Sequence, residues 1–198
     1  MRQEPYKVIV WAPGYLGSAV IKEVLSRPEF ELVGVLAYSD SKNGLDVGDM
    51  LGIAPIGVKM TTNQQEIFDM EADCVIHCGT NMADDSPRNK EVVSILESGK
   101  NVVAAPNYHF PQLRGPDFVG LLDGACQKGG VSLYGTGINP GWLAERCAPL
   151  LTSFTNRIDY VRAQEYFNLS NVDSELMLKA CTIGMTMERA HSIIHKIE

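Results

Sequence analysis

The chain of 198 residues has no long apolar run, few aromatic residues (8%) and no excess of positive charge. A membrane-spanning helix needs about 18 or more consecutive apolar residues, and no segment reaches that length. The N-terminus Met-Arg-Gln-Glu-Pro carries no apolar core of a signal peptide. A net charge of −7 argues against nucleic acid or an anionic membrane as the main partner.

Cysteine is also scarce: the five cysteines are an odd number without paired spacing. This usage is typical of reduced thiols and favours a cytoplasmic protein. Cys74 and Cys78 lie four residues apart in one apolar segment. We interpret them as buried small hydrophobic residues, because no His/Cys cluster completes a zinc site. No metal is expected.

The most informative segment near the start of the chain is Lys7–Gly17. Val8–Trp11 is predicted to be a short buried strand that ends at Ala12-Pro13-Gly14, and a helix is predicted to begin near Tyr15. A strand, a glycine turn and a helix N-terminus together can hold a pyrophosphate. Helical spacing predicts that the inward face of this helix consists of Leu16, Ala19, Val20 and Val24.

The dinucleotide fingerprint G-x-G-x-x-G has the form Ala12-x-Gly14-x-x-Gly17 in this chain. Gly14 would let the backbone approach the phosphates, and Gly17 would let the helix pack closely on the strand. Because alanine replaces the first glycine beside Pro13, the turn is expected to form without a residue of positive φ at Ala12. The segment favours a dinucleotide site, and the alternative is an ordinary strand–helix turn.

Strands and helices alternate through most of the chain. Such alternation indicates right-handed βαβ crossovers and an α/β fold, a doubly wound parallel sheet of the Rossmann type. We assign residues 1–154 to a dinucleotide-binding Rossmann domain. Further strands are predicted at 32–37, 58–61, 74–78, 101–105 and 131–134, and helices at 64–70, 90–98 and 117–128.

Ligands of such sheets bind beyond the carboxyl ends of the strands. After the second strand the chain has Tyr38-Ser39 where an acidic residue would bind a ribose 2′-hydroxyl, and Asp40 comes late. Ser39 and Lys42 are suited to a 2′-phosphate instead. The segment therefore favours NADP over NAD and leaves NAD open. The alternative for Lys42 is a solvated loop charge.

The pattern changes after Trp142. A helix bent or ended by Pro149 is predicted at 143–154, followed by an alternating strand at 157–167. Two short helices are predicted at 174–181 and 187–196, the second capped by Thr186. We expect residues 155–198 to be the beginning of an incomplete α+β domain for substrate binding and dimerisation, in a truncated chain.

Four segments together carry a resemblance to a known family. They are Val8–Gly17, the loop Ser39-x-x-Lys42-x-Gly44-x-Asp46-x-Gly48, the run Gly99–Val103 and, most specifically, Gly135-Thr-Gly-Ile-Asn-Pro-Gly-Trp142. With these motifs the chain resembles the 2,4-diaminopentanoate dehydrogenases and native NAD(P)-dependent amine dehydrogenases, whose dinucleotide domain is like that of dihydrodipicolinate reductase. Since such families exceed 300 residues, the resemblance also implies a truncated chain.

The resemblance implies roles for particular residues at the cofactor. Gly14, Tyr15, Leu16 and Gly17, next to Ala12, would hold the pyrophosphate, and Ser39 and Lys42 would meet the adenosine ribose. Gly79 and Thr80 would line the nicotinamide ribose, with Asn139 near the carboxamide.

The loop after the fifth strand departs from the family pattern. Amine dehydrogenases have a glutamate there, whereas this chain has Ala105-Pro-Asn-Tyr-His-Phe-Pro111. His109 and Tyr108 are the candidate acid/base residues of this loop, and Asn107 is suited to orienting a substrate. The alternative for His109 is a loop histidine bonded to backbone or solvent. Glu165 is an alternative carboxylate, and it can equally be read as a strand residue that faces solvent. His77 is interpreted as a core residue, and His191 with His195 as an ordinary helix face.

The expected function is an enzyme, an NAD(P)-dependent dehydrogenase acting on a small amine or imine. Two alternatives stay open: a carbonyl or hydroxy-acid reductase on the same scaffold, and a non-catalytic NAD(P)-binding module. The expected partners are NADP or NAD, a small-molecule amine or carbonyl substrate and, for a full-length protein, a second copy in a homodimer.

Overall fold

A computed structural model describes residues 4–79, 85–105, 108–162, 164, 166, 168–170, 178–179 and 182–194. The chain divides into two compact units, residues 1–157 and residues 158–198. The assignment of residues 1–154 and 155–198 to a dinucleotide-binding domain and to the start of a substrate and dimerisation domain stays a prediction.

The first unit alternates strands with helices. Its strands are β1 (Tyr6–Trp11), β2 (Phe30–Leu36), β3 (Met60–Thr61), β4 (Cys74–His77), β5 (Asn101–Ala104) and β6 (Leu133–Gly135). Its α-helices are α1 (Tyr15–Leu25), α2 (Val47–Leu51), α3 (Gln64–Asp69), α4 (Ser86–Glu97), α5 (Pro116–Gly129) and α6 (Ala148–Thr152). Short 3₁₀ helices span Asp40–Lys42 and Pro111–Arg114, and a π-helix spans Ile138–Cys147.

The six strands form one parallel sheet in the order β3-β2-β1-β4-β5-β6. Strand β1 is apolar on both faces, as a central strand between two helix layers requires. Val8 and Val10 pack with residues of α1 and α2, whereas Ile9 and Trp11 pack with residues of α3, α4 and α5. The doubly wound Rossmann fold expected from the sequence is confirmed.

Helix α1 shows one error in the predicted periodicity. Its buried residues are Gly17, Ile21 and Val24, whereas Leu16 and Ala19 are exposed. The predicted stripe was right for Val24 and missed Ile21, and Val20 is partly buried. Gly17 belongs to the buried face because α1 passes too close to the Ala12 carbonyl for a side chain there.

Two other expectations can be compared with the structure. Cys74 is partly buried and Cys78 is buried, and burial raises the pKa of both thiols to about 11. The helix expected at 143–154 is present, but it continues a π-helix that begins at Ile138. Pro149 stands just after the change from the π-helix to α6, and α6 ends at Thr152.

In the second unit the predicted strand at 157–167 is wrong for the residues that the structure describes there, because none of them lies in a strand. Tyr160 and Tyr166 are largely exposed. An alternating strand needs a neighbouring strand and a covered face, and the described part of this unit offers no strand as a neighbour. The helix predicted at 174–181 falls mostly outside the described residues.

The last helix, α7 (Met187–Ile194), confirms the prediction at 187–194. The Arg189 backbone N–H donates to Thr186 Oγ1 at 3.4 Å, so Thr186 caps the helix as expected. His191 is exposed on α7, and His195 lies outside the described residues. Across the described ranges of the chain, we find no helix with the length and apolar character that crossing a membrane requires.

Candidate functional site

The carboxyl ends of β1, β2, β4, β5 and β6 lie along one edge of the parallel sheet. The order of the strands reverses between β1 and β4, which is where ligands of such sheets bind. The predicted site segments that follow these strands therefore lie along a common edge, and their contacts show how they are held.

The turn after β1 contains the main correction to the sequence prediction. Ala12 has a φ of +69° and so adopts the left-handed conformation that was expected to be absent. The Gly14 backbone N–H donates to the Ala12 carbonyl at 2.9 Å, and the Ala12 N–H donates to the Leu36 carbonyl at 2.9 Å. This conformation costs a non-glycine residue about 1–2 kcal/mol. The turn therefore has the left-handed conformation that suits glycine at the first position of the fingerprint, although alanine stands there.

The two remaining glycines have different surroundings. A Cβ at Gly17 would lie 2.2 Å from the Ala12 carbonyl oxygen and 3.6 Å from Cys78 Cβ, so only glycine fits where α1 crosses the strand ends. A Cβ at Gly14 would meet no atom within 4 Å. Gly17 therefore serves the packing of the protein itself, whereas the space beside Gly14 is open.

The N-terminus of α1 has the character of an anion site. Gly14 is the N-cap residue, no side chain caps the helix, and the first turn contains no acidic residue. Tyr15 and Leu16 are exposed in this turn. The first N–H groups of a helix and the positive end of its dipole attract phosphate. The residues present therefore fit the pyrophosphate of a dinucleotide.

Lys42 lies next to the same turn. Its Nζ donates to the Pro13 carbonyl at 2.9 Å, and the side chain is partly buried. Ser39 and Ser41 are exposed, and their hydroxyl groups lie 2.8 Å apart. The structure thus brings Lys42 to the glycine turn, whereas Ser39 contacts its neighbour in the post-β2 loop.

A group that sequence analysis did not identify lies between these loops. Tyr38 donates its hydroxyl to Glu91 Oε2 at 2.7 Å and accepts from Trp11 Nε1 at 3.0 Å. Burial, followed by the hydrogen bond to Glu91, raises the pKa of Tyr38. Glu91 belongs to α4. The sequence signal that could have identified it is its spacing of four from Ile95, which places a carboxylate on the buried face of the helix.

His77 is completely buried, as expected, and it joins the same group. Its Nε2 lies 3.2 Å from Glu91 Oε2, and its ring stacks on Trp11 with centroids 5.9 Å apart. The Gly79 backbone N–H donates to His77 Nδ1 at 3.3 Å. Because Nδ1 is an acceptor, the proton of the neutral ring is on Nε2 and is donated to Glu91.

Gly79 itself is held by the same ring. A Cβ at this position would lie 2.7 Å from His77 Cε1 and 3.5 Å from Arg88 Nε. Gly79, the second residue after β4, is therefore restricted to glycine by the core beneath it.

The loop after β5 holds Tyr108 in the interior and His109 at a partly exposed position. The Tyr108 hydroxyl donates to Asn89 Oδ1 at 2.7 Å, and its ring stacks on Phe118. Burial raises the pKa of Tyr108 to about 12. Of the two candidate acid/base residues in this loop, Tyr108 is anchored in the core and His109 lies nearer the surface.

Three glycines of the segment 135–142 lie against this loop. A Cβ at Gly135 would be 2.1 Å from the Tyr108 carbonyl and 2.2 Å from His109 N. A Cβ at Gly137 would be 3.4 Å from the Ala105 carbonyl oxygen, and one at Gly141 would be 3.5 Å from Cβ and Cγ of His109. The most specific motif of the sequence therefore supports the loop that carries His109.

Some predicted site residues cannot be placed. Asn107, Thr80 and Glu165 lie outside the described residues. Asn139 belongs to the π-helix Ile138–Cys147, and only its backbone is described.

Residues 6–108 match the sequence profile of a family described as "Dihydrodipicolinate reductase, N-terminus". This region contains the glycine turn, the post-β2 loop, Glu91 and Tyr108.

Two curated proteins are similar over most of the chain. An amine dehydrogenase from Streptomyces virginiae is 26% identical over 168 residues, which cover 83% of this chain and 47% of that protein. A 2,4-diaminopentanoate dehydrogenase from Acetoanaerobium sticklandii is 26% identical over 199 residues, which cover 93% of this chain and 52% of that protein. The chain spans about half the length of the curated relatives it matches.

Among solved structures, an amine dehydrogenase from Mycobacterium smegmatis superposes with a TM-score of 0.71 at 24% identity. The match covers 79% of this chain and 46% of that chain. At this level of identity the superposition shows the fold, in agreement with the order of the strands.

Proposed function

The chain belongs to the dihydrodipicolinate reductase N-terminal domain family, and we propose that its first unit binds NADP or NAD for an amine dehydrogenase-type oxidoreductase. Two relatives of this type are similar to the chain over most of its length. Because the chain spans about half of each relative, the reaction of the whole protein belongs to the proposal.

The observation that carries the proposal is the open space beside Gly14 at the uncapped N-terminus of α1. This helix end lies at the point where the order of the strands reverses. It offers backbone N–H groups to a pyrophosphate and places no carboxylate against the charge of the phosphates.

The proposal assigns the predicted cofactor residues as follows. Ala12, Gly14, Tyr15, Leu16 and Gly17 hold the pyrophosphate. Gly79 and Thr80 line the nicotinamide ribose, with Asn139 near the carboxamide.

NADP is favoured as the cofactor. The Lys42 ammonium group donates to the Pro13 carbonyl and so stands beside the phosphate-binding turn. No carboxylate comes directly after β2, where Tyr38 and Ser39 stand. Ser39 and Lys42 would meet the phosphate on the adenosine ribose.

The nicotinamide ring, when bound, supplies the hydride chemistry, and the protein supplies orientation and proton transfer. His109 is the proposed acid/base residue, since imidazole gains and loses a proton near neutral pH. Tyr108, with its raised pKa and its hydrogen bond to Asn89, is suited to orienting the loop. Asn107 would orient the substrate.

A second candidate function is reduction of a carbonyl compound or hydroxy acid on the same scaffold. It is favoured by the sequence of the loop 105–111, which contains no carboxylate to handle the proton of ammonia. The two functions differ in whether ammonia takes part in the reaction.

Cofactor binding is tested with Gly14→Asp, measured by isothermal titration calorimetry with NADP⁺ and NAD⁺. A Cβ at this position meets no atom within 4 Å, so we expect the fold to be preserved while a carboxylate enters the anion site. We expect binding to fall below detection. Gly124→Asp is the matched control, because Gly124 is an exposed glycine of α5 with open space around its Cα. Equal affinities of the two variants would contradict the proposed site.

The reaction is tested by incubating the protein with NADPH and a panel of short aldehydes and ketones, with and without ammonia. Loss of NADPH absorbance that requires ammonia supports the amine dehydrogenase function. Loss without ammonia supports the carbonyl reductase, and binding without turnover supports a non-catalytic NAD(P)-binding module.

A further inference from the structure

We propose that Glu91 is a positioning residue for the cofactor, acting as the common hydrogen-bond acceptor that fixes the three loops after β1, β2 and β4. The inference rests on the proposed function, because it assigns a role within the same cofactor site. Glu91 belongs to α4 and is not part of any motif in the sequence.

The carboxylate of Glu91 is the shared acceptor of several hydrogen bonds. Glu91 Oε2 accepts from the Tyr38 hydroxyl at 2.7 Å and from His77 Nε2 at 3.2 Å, and Gln64 Nε2 lies 3.4 Å from Oε1. The Glu91 side chain is only 14% exposed. A carboxylate in such a position is stabilised by its donors, and hydrogen bonds to an ionised acceptor are stronger than neutral ones.

Two partners of Glu91 stand at strand ends, and one of them links it to a third strand. Tyr38 is the first exposed residue after β2, and its hydroxyl also accepts from the indole of Trp11, the last residue of β1 before the glycine turn. His77 is the last residue of β4 and holds the Gly79 N–H on its other nitrogen. One carboxylate oxygen is therefore linked to the ends of three strands.

The consequences of losing Glu91 differ between the two donors. The His77 ring is buried and packed against Trp11 and Gly79. Tyr38 is 57% exposed, so its ring can rotate toward solvent. Without Glu91 we therefore expect the core to remain folded and the post-β2 loop to lose its fixed position. The His77 tautomer that accepts from the Gly79 N–H is then no longer held by an acceptor at Nε2.

The test uses the full chain and compares dissociation constants for NADP⁺ in Glu91→Ala, Glu91→Gln and Tyr38→Phe. Glu91→Ala is expected to raise the dissociation constant about tenfold or more, because two donors lose a charged acceptor. Glu91→Gln keeps one neutral acceptor and is expected to recover most of the affinity. Tyr38→Phe keeps the ring and removes only the hydroxyl link, so it tests the network without altering α4.

Glu97→Ala is the matched control. Glu97 lies on the same helix but contacts Lys128 on the surface, 2.8 Å from its Nζ. We expect this variant to bind NADP⁺ as the wild type does. It therefore separates a general weakening of α4 from the loss of the hydrogen bonds that Glu91 accepts.

An NMR measurement shows whether the network itself has changed. The chain has two tryptophans, so a ¹⁵N-labelled sample gives two indole N–H resonances, and Trp142→Phe identifies that of Trp11. We expect the Trp11 resonance to shift in Tyr38→Phe and Glu91→Ala and to keep its position in Glu97→Ala.

The inference is overturned if Tyr38→Phe and Glu91→Ala shift the Trp11 resonance but bind NADP⁺ within twofold of the wild type. It is also overturned if Glu97→Ala weakens binding as much as Glu91→Ala. If Glu91→Ala does not fold, the comparison of Tyr38→Phe with the wild type decides alone. A wild-type chain that binds neither NADP⁺ nor NAD⁺ contradicts the proposed function itself, which is a distinguishable result.

Discussion

Replacing Gly17 with alanine separates the two purposes that glycine serves in the turn after β1. The added Cβ would lie 2.2 Å from the Ala12 carbonyl oxygen and 3.0 Å from the Ala12 carbonyl carbon. The first distance is more than about 1 Å shorter than van der Waals contact. Both atoms belong to the backbone of a residue that already has a positive φ, so α1 must move away from the sheet.

The expected cost follows from this displacement. Overpacking in a closely packed interior costs about 1–3 kcal/mol, and a clash with fixed backbone belongs at the upper end. For a chain of this size about 3 kcal/mol lowers Tm by about 6–12 °C. The displacement also moves the helix N-terminus relative to the turn, so NADP⁺ binding is expected to weaken.

Gly14→Ala is the matched comparison, because the same methyl group meets no atom within 4 Å at this position. Gly14 has a φ of −82°, which alanine adopts readily. Removing a glycine at such a site stabilises a protein by about 0.4–1 kcal/mol through the unfolded state, whereas alanine is a poorer N-cap residue than glycine. Because the two effects oppose each other, we expect a Tm close to that of the wild type together with weaker NADP⁺ binding.

Differential scanning calorimetry gives the Tm of each of the two variants, and titration calorimetry gives the dissociation constant of each for NADP⁺. A Gly17→Ala variant that unfolds at the wild-type temperature would refute the argument that helix α1 is held against the Ala12 carbonyl. A Gly14→Ala variant that binds NADP⁺ as the wild type does would refute the assignment of the open space to a ligand.

Two further predictions concern side chains of the site. Lys42→Ala should weaken NADP⁺ binding about 10- to 100-fold, which is the effect of losing a hydrogen bond to a charged group, and should change NAD⁺ binding little. The control is Lys22→Ala, at an exposed position of α1. Equal losses for NADP⁺ and NAD⁺, or an equal loss of NADP⁺ binding in Lys22→Ala, would contradict the role of Lys42 at the 2′-phosphate. Tyr108→Phe should cost about 1 kcal/mol at neutral pH, because Asn89 loses its donor. Burial raises the pKa of Tyr108 from 10.0 to about 12, so the unfolded chain loses this proton first and stability falls as pH rises through that range. Urea unfolding at increasing pH should therefore show a smaller alkaline loss for Tyr108→Phe than for the control Tyr160→Phe.

The sheet could be predicted from the sequence because its central strands are apolar on both faces and are separated by helices with clear stripes. The short helix α2 (Val47–Leu51) was missed, since five residues hardly display a helical period. The alternation at 157–167 was misleading because a period of two becomes a strand only where a neighbour supplies hydrogen bonds.

The candidate site was predictable only where a local motif carries it. Gly14, Gly17 and Lys42 each lie within a few residues of the end of a strand. The fingerprint specifies the spacing of the two glycines. Ala12 was predicted with the wrong φ, because a residue-type preference is overridden when the packing of Gly17 requires the carbonyl in one position. Glu91 lies 53 residues from Tyr38, and no local pattern joins two residues so distant in sequence.

The three glycines that support the His109 loop have one consequence for protein engineering. Gly135 and Gly137 face backbone atoms of Tyr108, His109 and Ala105, so these contacts do not depend on which side chain stands at position 109. A carboxylate introduced at His109 would leave them in place. Under the proposed function, a point substitution at His109 therefore exchanges the acid/base group, whereas any side chain added at Gly135 would displace the backbone of Tyr108 and His109.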